Sequence, residues 1–111
     1  MGAQTYWLFM VGAISFEVAG TISLKISDGF TRPMFVVLTV VAYVVSFTFM
    51  GLALKGLPVS TVYALWAGVG TALVAIIGIA AFGEPTSAIK VASILMIIMG
   101  VVGLHFAERL V

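Results

Sequence analysis

Cysteine is absent from the 111 residues. That excludes disulfides, thiolate nucleophiles and Cys-ligated metals, and it leaves the redox compartment undetermined. A single His and four acidic residues offer no cluster with metal-ligand spacing, so neither a metal, a cofactor nor an enzyme is expected. Charge is almost as scarce: 8% of residues are Asp, Glu, Lys or Arg, where about a quarter is usual in soluble domains. A formal net charge of +1 gives no basis for a nucleic-acid or polyanion partner. One further absence is positional. No Lys or Arg lies well inside any of the long apolar runs.

Those runs dominate what is present. The chain is 63% hydrophobic, with a mean hydropathy of +1.31. The apolar runs cover about residues 5–24, 33–54, 58–82 and 87–107, and each reaches the ~20 residues that cross a bilayer core as a helix. The expected fold is an all-α membrane protein: one domain over residues 1–111, with four transmembrane helices. Lipid offers no partner to open backbone groups, so the spans must be helical. The first run lacks a basic n-region and carries an acidic residue, so it reads as a retained helix and not a signal peptide. Punctuation between runs is conventional. Asp28-Gly29 marks a turn, Pro33 suits a first helical turn, Gly56 and Pro58 divide spans two and three, and Thr86 or Ser87 can cap span four. None of these connections holds a separate domain or lid.

Basic residues hardly bias the orientation. Lys55 and Arg109 fall on one side, and Lys25, Arg32 and Lys90 on the other, so the positive-inside rule has little to act on. Insertion in both orientations would permit an antiparallel dimer. Four helices also form too thin a wall to enclose a polar path alone, which points to an oligomer. In span four, Ser93 and Gly100 are seven apart and share a face. Small residues let membrane helices approach closely, making this face a candidate dimer seam, although Gly is also simply common in such helices. His105, near Glu108 and Arg109, reads as interfacial and non-catalytic.

Against this background Glu17 stands out. It lies near the middle of span one, in "GAISFEVAGT", with no basic residue within seven positions. A carboxylate there costs about 2.5–3.5 kcal/mol on insertion scales, and such residues mark ion or proton pathways. The alternative is a neutral, hydrogen-bonded Glu that ties helices together. Desolvation disfavours the charged form, which suits a group that exchanges protons. With no internal Lys or Arg as counter-ion, the positive charge must arrive as a proton or a cationic ligand. Met10, Ala13, Ile14, Gly20 and Thr21 share the helical stripe of Glu17, and Trp7 lies about three turns earlier, where it would line a mouth. Ala13 and Gly20 are small and leave room beside the carboxylate. Span two contributes Tyr43 and Ser46, and span three contributes Tyr63 and Trp66. Aromatic faces attract organic cations, Trp most strongly. Tyr63, six residues into its run, also suits an interfacial belt. Gly68 and Gly70 follow, as a hinge or as a site of close helix packing.

"FEVAGTISLKISDGFTR", "YALWAGVG" and Gly100, in this order within four short spans, resemble the small multidrug resistance transporters over essentially the whole chain. The resemblance implies an antiparallel, dual-topology homodimer in a bacterial or archaeal cytoplasmic membrane, exchanging protons for organic cations by alternating access. It implies one shared site of two Glu17 carboxylates, with Trp66 stacking on substrate, Tyr63 as gate, Tyr43 as pocket tyrosine, and Thr21 and Ser46 beside the glutamate. Gly68 and Gly70 match the family's kink in span three. Guanidinium exporters of the family typically carry Trp three residues after the glutamate and tend to lack the tyrosine at Tyr43. Gly20 and Tyr43 therefore favour the multidrug, quaternary-ammonium branch. Trp7 and Ser93 depart from the best-known multidrug member, which has Tyr and Gly there. Export of guanidinium or polyamines, or a non-transporting subunit of a hetero-oligomer, are the other readings.

Overall fold

The computed structural model describes residues 2–110, with side chains through Ala107. The Glu108 and Arg109 side chains beside His105 lie outside the described residues. The architecture is all-helical, with α1 (Ala3–Ile26), α2 (Pro33–Ala53), α3 (Val59–Ala64), a π-helical turn (Leu65–Val69), α4 (Gly70–Ala81) and α5 (Ala88–Leu110). The segments α3, π turn and α4 run on as one span, Val59–Ala81, so four helices are long and apolar enough to cross a membrane.

The local chemistry explains where each helix begins and ends. Pro33 opens α2 in its first turn, where its missing N–H costs nothing. Ser87, not Thr86, caps α5, its Oγ accepting from the Lys90 backbone N–H at 3.1 Å. Between α1 and α2 the chain reverses through left-handed backbone at Asp28, Gly29 and Phe30, with φ of 51°, 68° and 69°. Asp and Gly tolerate that region readily, and Phe less so. Buried Ser27 supports the reversal, its Oγ donating to the Leu24 carbonyl and accepting from the Phe30 N–H.

Hydroxyls that bond within or between the helices do so in two ways, while Thr61 Oγ1 in α3 is buried without a partner among the described residues. Ser15, Thr39, Thr48, Thr71 and Ser93 each donate to the carbonyl four residues back on their own helix. That local bond lets a hydroxyl sit in an apolar medium without a tertiary partner. Thr21 and Ser46 instead bond across helices, and both lie at the site described below.

α1 and α2 form the tightest pair. A Cβ on Gly12 would stand 2.9 Å from the Phe49 ring, and one on Gly20 would stand 2.7 Å from the Tyr43 ring. The small core gathers Met10, Ala53 and Val62, with Phe9, Ile14, Leu65 and Trp66 packed against it. α5 rests on the third span, where Gly68 admits Val101: a Cβ there would be 2.6 Å from Val101 Cγ2. None of the described side chains from Ala88 to Ala107 is buried. The molecule is a slab of 46 × 35 × 16 Å.

Candidate functional site

Glu17 sits on α1, facing the third span. Its Oε1 accepts a 2.9 Å hydrogen bond from Thr21 Oγ1, one turn on, as the i, i+4 spacing requires. Thr21 Oγ1 also lies 2.7 Å from the Tyr43 hydroxyl on α2. A hydroxyl has one proton, so with Thr21 donating to Glu17, Tyr43 donates to Thr21. The other carboxylate oxygen, Oε2, is buried and has no hydrogen-bond partner. It rests against Gly70, where a Cβ would stand only 2.6 Å away.

A second polar link joins α1, α2 and the third span. Ser46 on α2, fully buried, donates to the Ala13 carbonyl of α1 at 2.6 Å. It accepts from Trp66 Nε1 of the third span at 3.1 Å. This pair of bonds fixes the indole plane, which Phe47 and Tyr63 flank at centroid distances of 5.7 and 6.2 Å. Trp66 lies within the π turn Leu65–Val69. Such turns are rare, and they recur at functional sites because they disturb the regular i→i−4 ladder.

The carboxylate opens into a cavity of about 340 Å³ lined by Glu17, Thr21, Trp66, Ala67, Gly70, Thr71 and Val74. That volume falls within the usual range for small-molecule sites. No Lys, Arg or His lines it. Glu17, Thr21 and Trp66 were the expected residues. Gly70 appears as the seat of the carboxylate, and Ala67, Thr71 and Val74 were not anticipated. Helical spacing from Trp66 and Gly70 would have found them had those two been taken as one face.

The remaining candidates lie further out. Tyr43 reaches the carboxylate only through Thr21, and its ring fills the space over Gly20. The room expected beside Gly20 is thus occupied by the tyrosine. Ala13 and Met10 are buried, and Ile14 packs on the core containing Met10. Tyr63 is 62% exposed and packs on Trp66, outside the lining of the Glu17 cavity. Trp7 stands edge-on to His105 at 5.5 Å and lines a separate apolar cavity of about 260 Å³ with Leu65, Val101 and Phe106. Gly68 packs on α5, while Ser93 and Gly100 face outward, Gly100 with open space around it.

Comparison with known proteins places this geometry. The family model described as "Small Multidrug Resistance protein" matches residues 5–97. The chain belongs to the small multidrug resistance family. Within that family it is 45% identical over 103 residues to the Bacillus subtilis uncharacterized membrane protein YvaE, covering 93% of this chain and 87% of the relative. It is 40% identical over 103 residues to the guanidinium exporter of Escherichia coli K12, covering 93% and 98%. It is 42% identical over 98 residues to the multidrug resistance protein EbrB of Bacillus subtilis, covering 88% and 84%. Members of the small multidrug resistance family are transporters of small organic cations, and this chain is accordingly a multi-pass membrane transporter.

Proposed function

We propose that the protein exports hydrophobic, aromatic and quaternary-ammonium cations in exchange for protons, with both species competing for Glu17. The observation that carries this reading is the buried, unpartnered Oε2 in a cavity without a basic residue. An oxygen so placed leaves a negative charge without an answer until a cation or proton supplies one. Trp66, held by Ser46, presents an aromatic wall to the same cavity, suited to cation–π contact with a poorly hydrated organic cation.

Guanidinium export is the competing reading, favoured by the relatives named guanidinium exporters. A guanidinium is recognised best by two parallel hydrogen bonds to both carboxylate oxygens. Here Oε2 is unpartnered and Oε1, which accepts from Thr21, keeps a second acceptor site, so the carboxylate itself admits either cation. The Trp66 wall of the same cavity favours a cation that needs charge and stacking more than a paired fork.

Mechanism follows from competition. When proton and drug exclude one another at one carboxylate, each weakens the other's binding by the same factor. Protons therefore release drug on the acidic side, and drug displaces protons on the other. The cavity is walled by α1 and the third span alone, in a molecule 16 Å thick. An antiparallel homodimer would close it, with a second Glu17 contributed by the partner and α5 as the seam. In such a dimer the inward and outward states are near equal by symmetry, as alternating access requires.

Proton-gradient-driven uptake into liposomes, using tetraphenylphosphonium, a quaternary ammonium and guanidinium, tests this. Wild type should move the first two against their gradients and Glu17→Gln should not. Uphill transport by Glu17→Gln would end the shared-carboxylate scheme, and guanidinium as the preferred cargo would move the protein to the other branch.

A further inference from the structure

The cavity at Glu17 does not end at the middle of the span. A second one, of about 170 Å³, shares Thr21 and Val74 with it and continues to Lys25, Gly78, Phe82 and Glu84. The two make one groove, and its walls are stripes of four-residue spacing. Glu17, Thr21 and Lys25 come from α1, and Gly70, Val74 and Gly78 from α4. Each end of the groove has a carboxylate seated on a glycine. Glu17 Oε2 lies against Gly70, and Glu84 Oε1 lies against Gly78. The seats are eight residues apart, or about 12 Å along a helix.

Glu84 is anchored by its backbone, and its side chain is half-exposed. Left-handed Gly83, with φ 66°, turns the chain so that the Glu84 N–H donates to the Gly78 carbonyl at 3.1 Å. The carboxylate is 47% exposed and 3.6 Å from Lys90 Nζ, which also donates to the Pro85 carbonyl at 3.2 Å. Lys25, in the last turn of α1, lines the same cavity from the other wall. Among the described residues Glu84 pairs with Lys90 and not with Lys25. One carboxylate thus has two ammonium groups within its cavity and connection, one on its own side of the groove and one across it. Two lysines against one glutamate leave this end net positive, which is wrong for a cation-binding station and right for a gate.

We propose that Lys25 and Glu84 form a charge latch that closes this end of the groove. With Glu84 on Lys90, as seen here, no ion pair between Lys25 and Glu84 crosses the groove. With Glu84 on Lys25, α1 is tied to the end of α4 and the route is shut. Exchanging one exposed ion pair for another leaves the two states close in energy, as a gate that cycles needs. The latch rests on the exchange function proposed above, and it adds the residues that open and close one end.

The lack of native cysteine makes the test direct. In proteoliposomes, Lys25→Cys with Glu84→Cys, crosslinked after folding, should stop drug–proton exchange while tetraphenylphosphonium binding persists, and reduction should restore exchange. Lys25→Glu and Glu84→Lys should each slow exchange about fivefold, the scale of one exposed ion pair. The triple reversal, Lys25→Glu with Glu84→Lys and Lys90→Glu, should recover to within about twofold, since both alternative pairs are rebuilt with opposite sign. If the triple reversal stays as slow as its parents, or if the crosslinked protein exchanges normally, the latch is wrong and Glu84 only staples its own connection to Lys90. Absence of coupled uptake by the unmodified chain would overturn the exchange reading and the latch with it. Normal wild-type uptake without rescue would overturn the latch alone.

Discussion

At the scale of single residues, the proposed exchange depends on what each polar atom lacks. Glu17 Oε1 has Thr21, and Oε2 has nothing. Replacing Glu17 with Gln keeps the shape of the side chain and removes the one charge of the cavity, so tetraphenylphosphonium binding should weaken and no longer depend on pH. Calorimetric titration across pH checks this, and an unmoved profile would count against a shared proton site. Gly20 and Tyr43 form a second pair whose contact decides more than either residue does. A side chain at position 20 must displace the Tyr43 ring, and with it the hydrogen bond to Thr21. Gly20→Trp alone should destabilise the protein by about 1–3 kcal/mol, the usual cost of overpacking. Gly20→Trp with Tyr43→Ala should fold better, since the ring that clashes is gone. Thermal unfolding in detergent reads the difference, and the two changes should be clearly non-additive. This contact also gives a physical reason why a Trp after the glutamate and a tyrosine at position 43 would exclude one another.

At the scale of the elements, the third span is divided by its π turn, and the glycines near that turn have separate tasks. Gly68 faces α5 and Gly70 faces the carboxylate. Gly70→Ala should push Oε2 from its seat and weaken cation binding about tenfold, a 1.4 kcal/mol effect at room temperature, with little loss of fold because a carboxylate tip can yield. Gly68→Ala should instead disturb the α5 contact at Val101, leave Glu17 in place, and be eased by Val101→Ala. Binding isotherms beside unfolding curves separate the two. From sequence, "WAGVG" announced a weak point in the helix. The π turn and the division of labour between its glycines were not legible there. Both depend on which neighbour each glycine meets, and that is set by packing between helices.

At the scale of the whole molecule, the fourth span packs mainly on the third and is the surface that the proposed dimer would use as its seam. Ser93 and Gly100 face outward on α5, and no described side chain of that span is buried. If α5 is the seam, Gly100→Leu should lower the dimer fraction in detergent sedimentation and weaken tetraphenylphosphonium binding with it. A stable dimer with normal binding would place the seam elsewhere. Composition and order of residues by themselves determined the class of this protein. Runs of apolar residues long enough to span a bilayer leave the helix as the one open solution, and an uncompensated mid-span carboxylate points to cation or proton traffic. The tertiary structure decided which groups face that carboxylate. Thr21 holds one oxygen, Gly70 seats the other, Ser46 aims Trp66, and Trp7 goes elsewhere. Helical spacing says which residues share a face, but it says nothing about which face of a neighbouring helix comes to meet them.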